Sequence, residues 1–273
     1  MDEQFRILHP IKYYRDHINN HIRPDGRELN KFRPVLVNIG SINTSDGSAL
    51  AKVGDTTVIC GIKAELCSPK VESPDQGFLI PNVELPPLCS SKFKPGPPSE
   101  EAQVVTQLLA DIVKNSKCFD LKQLCICHEK LVWCLFADLI CISYDGSLMD
   151  ACVIALMGAL KSVQLPLVDY DPAIDNKLVN EEQKNFVNIQ GIPICTTFSM
   201  FDKNILYDPT QEEENLSSCT FNVVLMEDKL CSVHKPGGTP ISEQNLMECI
   251  EVSKQRTNTI CELIDIALKK NKT

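Results

Sequence analysis

The sequence predicts an α+β fold with mostly antiparallel sheets, divided into two lobes. Stretches with the alternating pattern of strands follow one another across short turns, and helical periodicity occurs only between groups of strands and near the end of the chain. The order is three strands, a helix, two strands and a helix, then a second group of strands and a closing helix. Short turns between successive strands indicate antiparallel pairing, because parallel strands need long crossover connections.

The first group of elements follows a polar N-terminal segment. Alternation and SDG and GD turns predict three strands, VLVNIGSI, SALAKV and TTVICGIKAE. After a proline-rich loop, SEEAQVVTQLLADIVKNSK predicts an amphipathic helix with Ser99 as its N-cap and acidic residues in its first turn. The apolar face of this helix consists of Val104, Val105, Leu108, Leu109, Ile112 and Val113.

The rest of the first lobe is more apolar. Two strands are predicted from QLCIC and LVWCLFADLICISY, and a buried central helix from SLMDACVIALMGALKSV, which is apolar on nearly every side. The acidic, turn-rich residues 166–184 are predicted to be a linker between a first domain at 23–165 and a second at 185–270. The second lobe reads as strands FVNIQ, ICTTFSMF, NILYD, CTFNVVLM and KLCSVHK, with a closing helix near Ser242–Lys270.

Composition narrows the class of function. The net charge of −9 argues against a protein that grips nucleic acid over a broad basic surface. Because the N-terminus has no apolar signal core, we expect the 14 cysteines to be reduced thiols. The residues nearest to a metal motif, Cys125, Cys127 and His128, lack a second pair at ligand spacing, so we predict no metal and no cofactor.

Two short stretches are candidate functional sites. NILYDPTQEEENL holds four carboxylates, which could bind a metal or move protons, although a solvated turn is the favoured interpretation; they are Asp208, Glu212, Glu213 and Glu214. In SSKFKPGPP, Lys92 and Lys94 flank Phe93, a unit that could neutralise a phosphate and stack a base, or be a plain loop. The glycine turns at Asp145–Ser147 and Lys235–Gly238 precede helices but match no phosphate-loop motif.

Several motifs in one order resemble the RNase PH family, and more closely the ring subunits of the eukaryotic RNA exosome. They are RPDGREL, SDGSALAKVGDTTVICGIKAE, PNVELPPLCS with KFKPGPPSEEAQ, ADLICISYDGSLMDA, LYDPTQEEE and HKPGG. The resemblance covers nearly the whole chain. It implies two lobes of the ribosomal protein S5 domain 2-like βαβ type in a hexameric pseudo-ring. It also implies S1/KH-type cap subunits, a separate hydrolytic exoribonuclease, and RNA threading through the channel.

The resemblance also implies that the catalytic residues of active relatives are replaced. Their phosphate-binding Thr-Arg pair falls on Leu148 and Met149, and their catalytic acid falls on Glu214. Their RNA-binding arginines fall on or near acidic or lysine positions, namely Asp111, Lys114, Glu100 and Glu101. No arginine occurs from Pro34 to Gln255. We therefore interpret LYDPTQEEE as an inherited turn, exposed or at a subunit contact, with no catalytic residues.

These observations lead to one main hypothesis and two alternatives. The main hypothesis is a non-catalytic scaffold subunit of a 3′→5′ RNA-processing complex in the nucleus, nucleolus and cytoplasm. Its predicted RNA contacts are Lys92, Lys94 and Lys114. The alternatives are an active phosphate-dependent 3′→5′ exoribonuclease, and a metal-dependent hydrolase built on the four clustered carboxylates.

Overall fold

The N-terminal segment forms two short helices in the computed structural model, which describes residues 2–171 and 176–271. Helix α1 spans Asp2–Leu8, and α2 spans Pro10–Asn19 with the proline at its start. Proline is well placed there, because the first backbone N–H of a helix has no partner within the helix. Tyr14 and Ile18 of α2 are buried against the second lobe, in a cluster with Phe201 and Leu206.

The first lobe contains a six-stranded sheet. Its strands are β1 (Val35–Ile39), β2 (Gly47–Val53), β3 (Thr56–Cys67), β4 (Phe78–Glu84), β5 (Cys125–Cys127) and β6 (Leu131–Ser143). The spatial order is β1-β2-β3-β6-β4, and the short β5 pairs with β6. All pairings in this sheet are antiparallel except that of β4 with β6. The predicted α+β architecture with mostly antiparallel sheets is confirmed.

Two helices of the first lobe follow the predicted pattern. Helix α3 (Glu100–Ser116) begins where Ser99 Oγ accepts a hydrogen bond from Ala102 N at 3.2 Å. One residue of its predicted apolar face, Val104, is 51% exposed because it lies at the edge of that face. Helix α4 (Leu148–Ser162) is buried from Leu148 to Leu160 and packs against β2, β3 and the second lobe. The predicted central helix is therefore confirmed, and it joins the two lobes through one core.

The segment predicted to be a linker is more ordered than expected. It forms an antiparallel hairpin of β7 (Gln164–Asp171) and β8 (Asn176–Phe186), and its residues 172–175 lie outside the described residues. The predicted strand FVNIQ contributes only Phe186 to a strand. Within the predicted strand QLCIC, Leu124 ends a 3₁₀ turn and only the last three residues form β5.

The second lobe is a four-stranded antiparallel sheet of β9 (Pro193–Phe201), β10 (Asn204–Tyr207), β11 (Cys219–Met226) and β12 (Lys229–His234), in the order β10-β9-β11-β12. Helix α5 (Gln211–Leu216) lies between β10 and β11, and α6 (Glu243–Asn271) closes the chain, as predicted. All 14 cysteines are free thiols. Among the helices of the described ranges, none is long and apolar enough to span a membrane.

Candidate functional site

The acid cluster at residues 208–214 begins a helix. Asp208 ends β10 with a left-handed φ of 51°, and Thr210 caps α5. Thr210 Oγ1 accepts from Glu213 N, while Glu213 Oε2 accepts from Thr210 N at 2.9 Å, so the two form a capping box. Asp208 and Glu213 are buried. The predicted solvated turn is therefore wrong for these two residues, although Glu212 remains about half exposed.

Arg33 holds Asp208 in place. Its Nη2 donates to Asp208 Oδ1 at 2.7 Å, its Nε to Oδ2 at 3.1 Å and its backbone N to Oδ2 at 2.8 Å. Burial raises the pKa of Asp208, but the hydrogen bonds of Arg33 and the charges of Arg256 and Arg33 outweigh burial and hold this pKa below its usual range. Asp208 thus favours its charged form and is a structural anchor between the N-terminal segment and the second lobe.

Two more arginines fasten the N-terminal segment to the same cluster. Arg23 is buried beside Glu213 at 3.5 Å and donates to the carbonyls of Leu29 and Tyr207. Arg6 pairs with Glu212. Three of the four carboxylates therefore face guanidinium groups from residues 6–33. These carboxylates are therefore already paired with arginine side chains, which argues against their use as metal ligands in the metal-dependent hydrolase alternative.

Every arginine of the chain pairs with a carboxylate of the same chain. The remaining pairs are Arg15 with Asp202 at 2.8 Å, Arg27 with Asp25 at 2.5 Å and Arg256 with Asp150 at 3.2 Å. Arginine is the side chain best suited to bidentate binding of phosphate. In this protein all six guanidinium groups instead lie 3.5 Å or less from a carboxylate of the same chain.

A cavity of about 300 Å³ lies where α3, the start of α4 and β11 meet. Leu148 and Met149, on which the resemblance places the phosphate-binding pair of active relatives, are buried side chains in its wall. No arginine is among its lining residues in the part of the chain that the structure describes. The polar residues that line it are Lys92, Glu101, Tyr144, Thr197, Glu214, Asn215, Thr220, Asn222 and His234.

Glu214 takes the anion position at the start of α4. Its Oε1 accepts a hydrogen bond from Ser147 N at 2.8 Å, a backbone donor of the kind that binds phosphate at helix N-termini. Burial raises the pKa of Glu214 to about 7, and the Ser147 N–H and the charge of Arg33 only partly oppose this. Glu214, the residue on which the resemblance places a catalytic acid, is therefore itself the acceptor for this backbone donor.

A second carboxylate lies close to Glu214. The Tyr144 hydroxyl lies 3.2 Å from Glu101 Oε1 and 3.4 Å from Glu214 Oε2, and its single proton can be donated to only one of them at a time. Lys92 Nζ donates to Glu101 Oε2 at 2.6 Å and lies over the ring of Tyr144. Tyr144, Glu101, Glu214 and Lys92 thus form one connected network, in which the cation nearest to Glu214, Lys92, is already paired with Glu101.

The structure does not bring the three predicted RNA-binding lysines together. Lys92 lies at the cavity and Lys94 is exposed beside it, whereas Lys114 is in the last turn of α3. Lys114 is 13 positions after Glu101 in this helix, a rise of about 20 Å. Phe93 is buried in edge-on contact with Tyr144, so the hypothesis that it stacks a base is wrong.

At both glycine turns the space beside the backbone is taken by other groups of the same chain. A Cβ on Gly146 would lie 2.5 Å from the Pro209 carbonyl oxygen, so only glycine fits this approach to the acid cluster. In the second turn, Lys235 Nζ donates to the Gly237 and Gly238 carbonyls at 2.6 and 3.3 Å. Among the described residues, no three His, Cys, Asp or Glu side chains are grouped as a metal site.

The two-lobed fold is that of an exosome core subunit. It is similar to a chain of the Archaeoglobus fulgidus exosome with RNA bound to the active site, with a TM-score of 0.82 and 29% identity over 92% of this chain and 96% of that one. It is also similar to a chain of an archaeal exosome core, with a TM-score of 0.80 and 25% identity over 97% of this chain and 100% of that chain.

Sequence comparison identifies the family. Residues 31–166 match domain 1 and residues 191–256 match domain 2 of the 3′ exoribonuclease (RNase PH) family, and the chain belongs to that family. It is 40% identical to exosome complex component rrp43 of Schizosaccharomyces pombe, over 92% of this chain and 94% of the relative. It is 31% identical to exosome complex component Rrp42 of Methanothermobacter thermautotrophicus, over 92% of each chain. The resemblance drawn from the motifs is confirmed.

Proposed function

We propose that this chain is a non-catalytic ring subunit of an RNA exosome, where it helps to form the channel through which RNA passes during 3′→5′ processing and degradation. The observation that carries this proposal is the cavity at the start of α4. Leu148 and Met149 wall it, and Glu214 occupies the backbone donor that an inorganic phosphate would need. Family membership supports the place in a ring, and the residues of this cavity argue against catalysis.

The electrostatics of this cavity oppose phosphorolysis. A phosphate nucleophile carries up to two negative charges and would have to displace Glu214 while lying close to Glu101. Removing a single preorganised donor from a transition state typically lowers a rate by about 10² to 10³. Here the resemblance places the arginines of active relatives at or near Met149, Asp111, Glu100, Glu101 and Lys114, and only the last of these is a cation. An active phosphate-dependent exoribonuclease is therefore the weaker alternative.

The proposed partners follow from the proposed place in the ring. They are other RNase PH-type ring subunits, S1/KH-type cap subunits, the hydrolytic exoribonuclease of the complex and RNA in the channel. Of the three predicted RNA contacts, Lys92 lines the cavity and Lys94 is exposed on the same loop, and we propose these two as the contacts beside the cavity. Lys114 stays a predicted RNA contact at the other end of α3. We propose that the complex works in the nucleus, nucleolus and cytoplasm. No cofactor is part of the proposal.

The catalytic half of the proposal is tested with the purified chain and labelled single-stranded RNA. Reactions contain phosphate, Mg²⁺, both or neither, and the products are separated by chromatography. We expect no product above the level of a no-protein control. Phosphate-dependent release of nucleoside diphosphates would establish the active exoribonuclease instead. Release of nucleoside monophosphates that needs Mg²⁺ would establish the metal-dependent hydrolase.

The ring half of the proposal is tested by light scattering. Leu36 on the edge strand β1 is 64% exposed, and Leu230 on the edge strand β12 is 50% exposed, as expected for surfaces that a neighbour covers. We expect the isolated chain to self-associate, and to form a discrete, more heat-stable heterodimer with a co-expressed RNase PH-type partner. A monodisperse 30.4 kDa monomer whose melting temperature does not respond to the partner would contradict the ring assignment.

A further inference from the structure

A second cavity, of about 600 Å³, lies at the C-terminal end of α3, away from Glu214. Its volume is in the range of sites that enclose a large side chain or a small ligand. Strand β4, α3 and the segment after α3 form its walls. Most of its lining is apolar, from Leu79, Pro81, Ala110, Val113, Phe119 and Leu121, and the polar residues are Gln76, Lys114, Lys117, Asp120 and Gln190.

Two lysines at this cavity are available to a partner. Lys114 and Lys117 are exposed, and neither ammonium group makes a hydrogen bond or ion pair with residues in the ranges 2–171 and 176–271. A third lysine, Lys122, is neutralised by Asp75 at 3.0 Å. Asp120 uses its carboxylate to accept from Lys122 N. The lining is thus net positive by one charge in a chain whose net charge is −9.

We propose that this cavity binds an acidic segment of a partner protein, with one bulky apolar side chain inserted between Leu79, Val113 and Leu121 and flanking carboxylates paired with Lys114 and Lys117. The apolar lining matches the anchor, and the two unpaired ammonium groups match the flanking charges. The inference does not depend on the catalytic state of the chain or on its place in a ring.

Two features favour a protein segment over RNA, and side-chain insertion over strand addition. The single aromatic side chain in the lining, Phe119, is only 6% exposed, so the cavity offers no open ring on which a base could stack. Strand β4 is the edge of its sheet, but Pro81 has no N–H to donate to an added strand. The recognition is therefore by side chains.

Fluorescence anisotropy tests the proposal with the full chain in the complex with which it co-purifies. The probe is a fluorescein-labelled heptapeptide, Glu-Asp-Glu-Phe-Glu-Asp-Glu, compared with the same peptide carrying alanine in place of phenylalanine. We expect saturable binding of the first peptide with a Kd below about 1 mM, and at least tenfold weaker binding of the second. The double change Lys114→Glu with Lys117→Glu should weaken binding of the first peptide by about tenfold, because two attractive charges become repulsive.

A matched double variant, Lys203→Glu with Lys229→Glu, makes the same charge change at exposed lysines elsewhere and should leave peptide binding within about twofold. A second cavity variant, Val113→Asp, places a charge among the apolar lining residues and should abolish the preference for phenylalanine. Three results would overturn the proposal: no binding at about 1 mM peptide, equal loss in both double variants, or binding of a labelled oligouridine in place of the peptide through Lys114 and Lys117.

Discussion

Asp208 and Glu214 belong to one acid cluster but differ in electrostatic environment. Burial raises the pKa of both carboxylates. At Asp208 the guanidinium of Arg33 reverses that effect, whereas Glu214 has only a backbone N–H and a shared tyrosine hydroxyl as near partners. The comparison shows that a run of acids in a sequence does not define one site. Asp208 anchors the N-terminal segment to the second lobe, whereas Glu214 accepts a hydrogen bond from the start of α4 at the edge of a cavity.

The largest expected effect is on the Asp208 side of this comparison. The change Arg33→Met leaves Asp208 buried and without its main partner, which should lower the free energy of unfolding by about 3–5 kcal/mol. Urea denaturation followed by circular dichroism measures the loss. Adding Asp208→Asn should recover part of it, because asparagine tolerates the left-handed φ and its neutral amide oxygen still accepts from the backbone N–H of residue 33.

The control for this prediction is Arg15→Met, which removes an exposed ion pair with Asp202. That change should leave the urea unfolding midpoint nearly unchanged, because an exposed ion pair is screened by water and salt. If Arg33→Met and Arg15→Met destabilise the chain equally, Asp208 is not the buried anchor described above.

The next effect is the pH dependence of stability at Glu214. Its pKa is about 7 in the folded chain and about 4.5 when exposed, so its stabilising contribution is complete below about pH 4.5 and is lost as the pH rises through about 7. Glu214→Gln removes this titration. We expect the variant to gain about 2 kcal/mol relative to the parent between about pH 5 and pH 8, measured by urea unfolding at each pH. A constant difference across that range would show that Glu214 remains charged.

A smaller effect concerns RNA at the outer end of the Glu214 cavity. Changing both Lys92 and Lys94 to glutamate should weaken binding of single-stranded RNA to the assembled complex by several-fold at low salt. The slope of log affinity against log salt should become shallower by about 1.4, the value for two lost phosphate contacts. Filter binding across a salt series measures both quantities. An unchanged slope would mean that this loop does not touch RNA, and the variant with Lys203 and Lys229 changed to glutamate is the control.

The smallest expected effect is on catalysis. Glu214→Ala should leave the rate of RNA degradation by the assembled complex within about twofold of the parent, because no phosphate-binding arginine lies beside it. Labelled RNA and product chromatography give the rate with and without phosphate. A tenfold loss of phosphorolysis would make Glu214 a catalytic residue and remove the distinction from Asp208 on which the proposed function depends.

Patterns that depend on neighbouring residues were sufficient to predict much of the fold. Ser99 caps α3, and the uniformly apolar α4 is buried, because each depends on positions within the same few turns. The hairpin β7–β8 was missed, since its acidic and turn-forming residues are also typical of an irregular connection. The burial of Phe93 depends on Tyr144, at the far end of a distant strand.

The acid cluster was harder to predict because its partners are distant in sequence. Arg33 is 175 residues from Asp208, and Arg6 is 206 residues from Glu212. One signal in the sequence does point to this arrangement. Five of the six arginines precede Pro34, and such a concentration of positive charge matches the four acids of residues 208–214. Charge complementarity between segments, rather than periodicity, is what would have identified the pairing.

The large sequence separation between the arginines and their carboxylates also determines the order in which they are translated. Arg6, Arg15, Arg23 and Arg33 leave the ribosome long before their partners at residues 202–213 have been translated. Domains generally fold as units, and the N-terminal part folds first. The N-terminal segment, here called the N-terminal arm (residues 6–33), cannot dock until most of the second lobe has emerged from the ribosome. A ribosome that stalls before Asp202 therefore displays a basic arm with four guanidinium groups still lacking these carboxylates, on a nascent chain whose finished form is acidic.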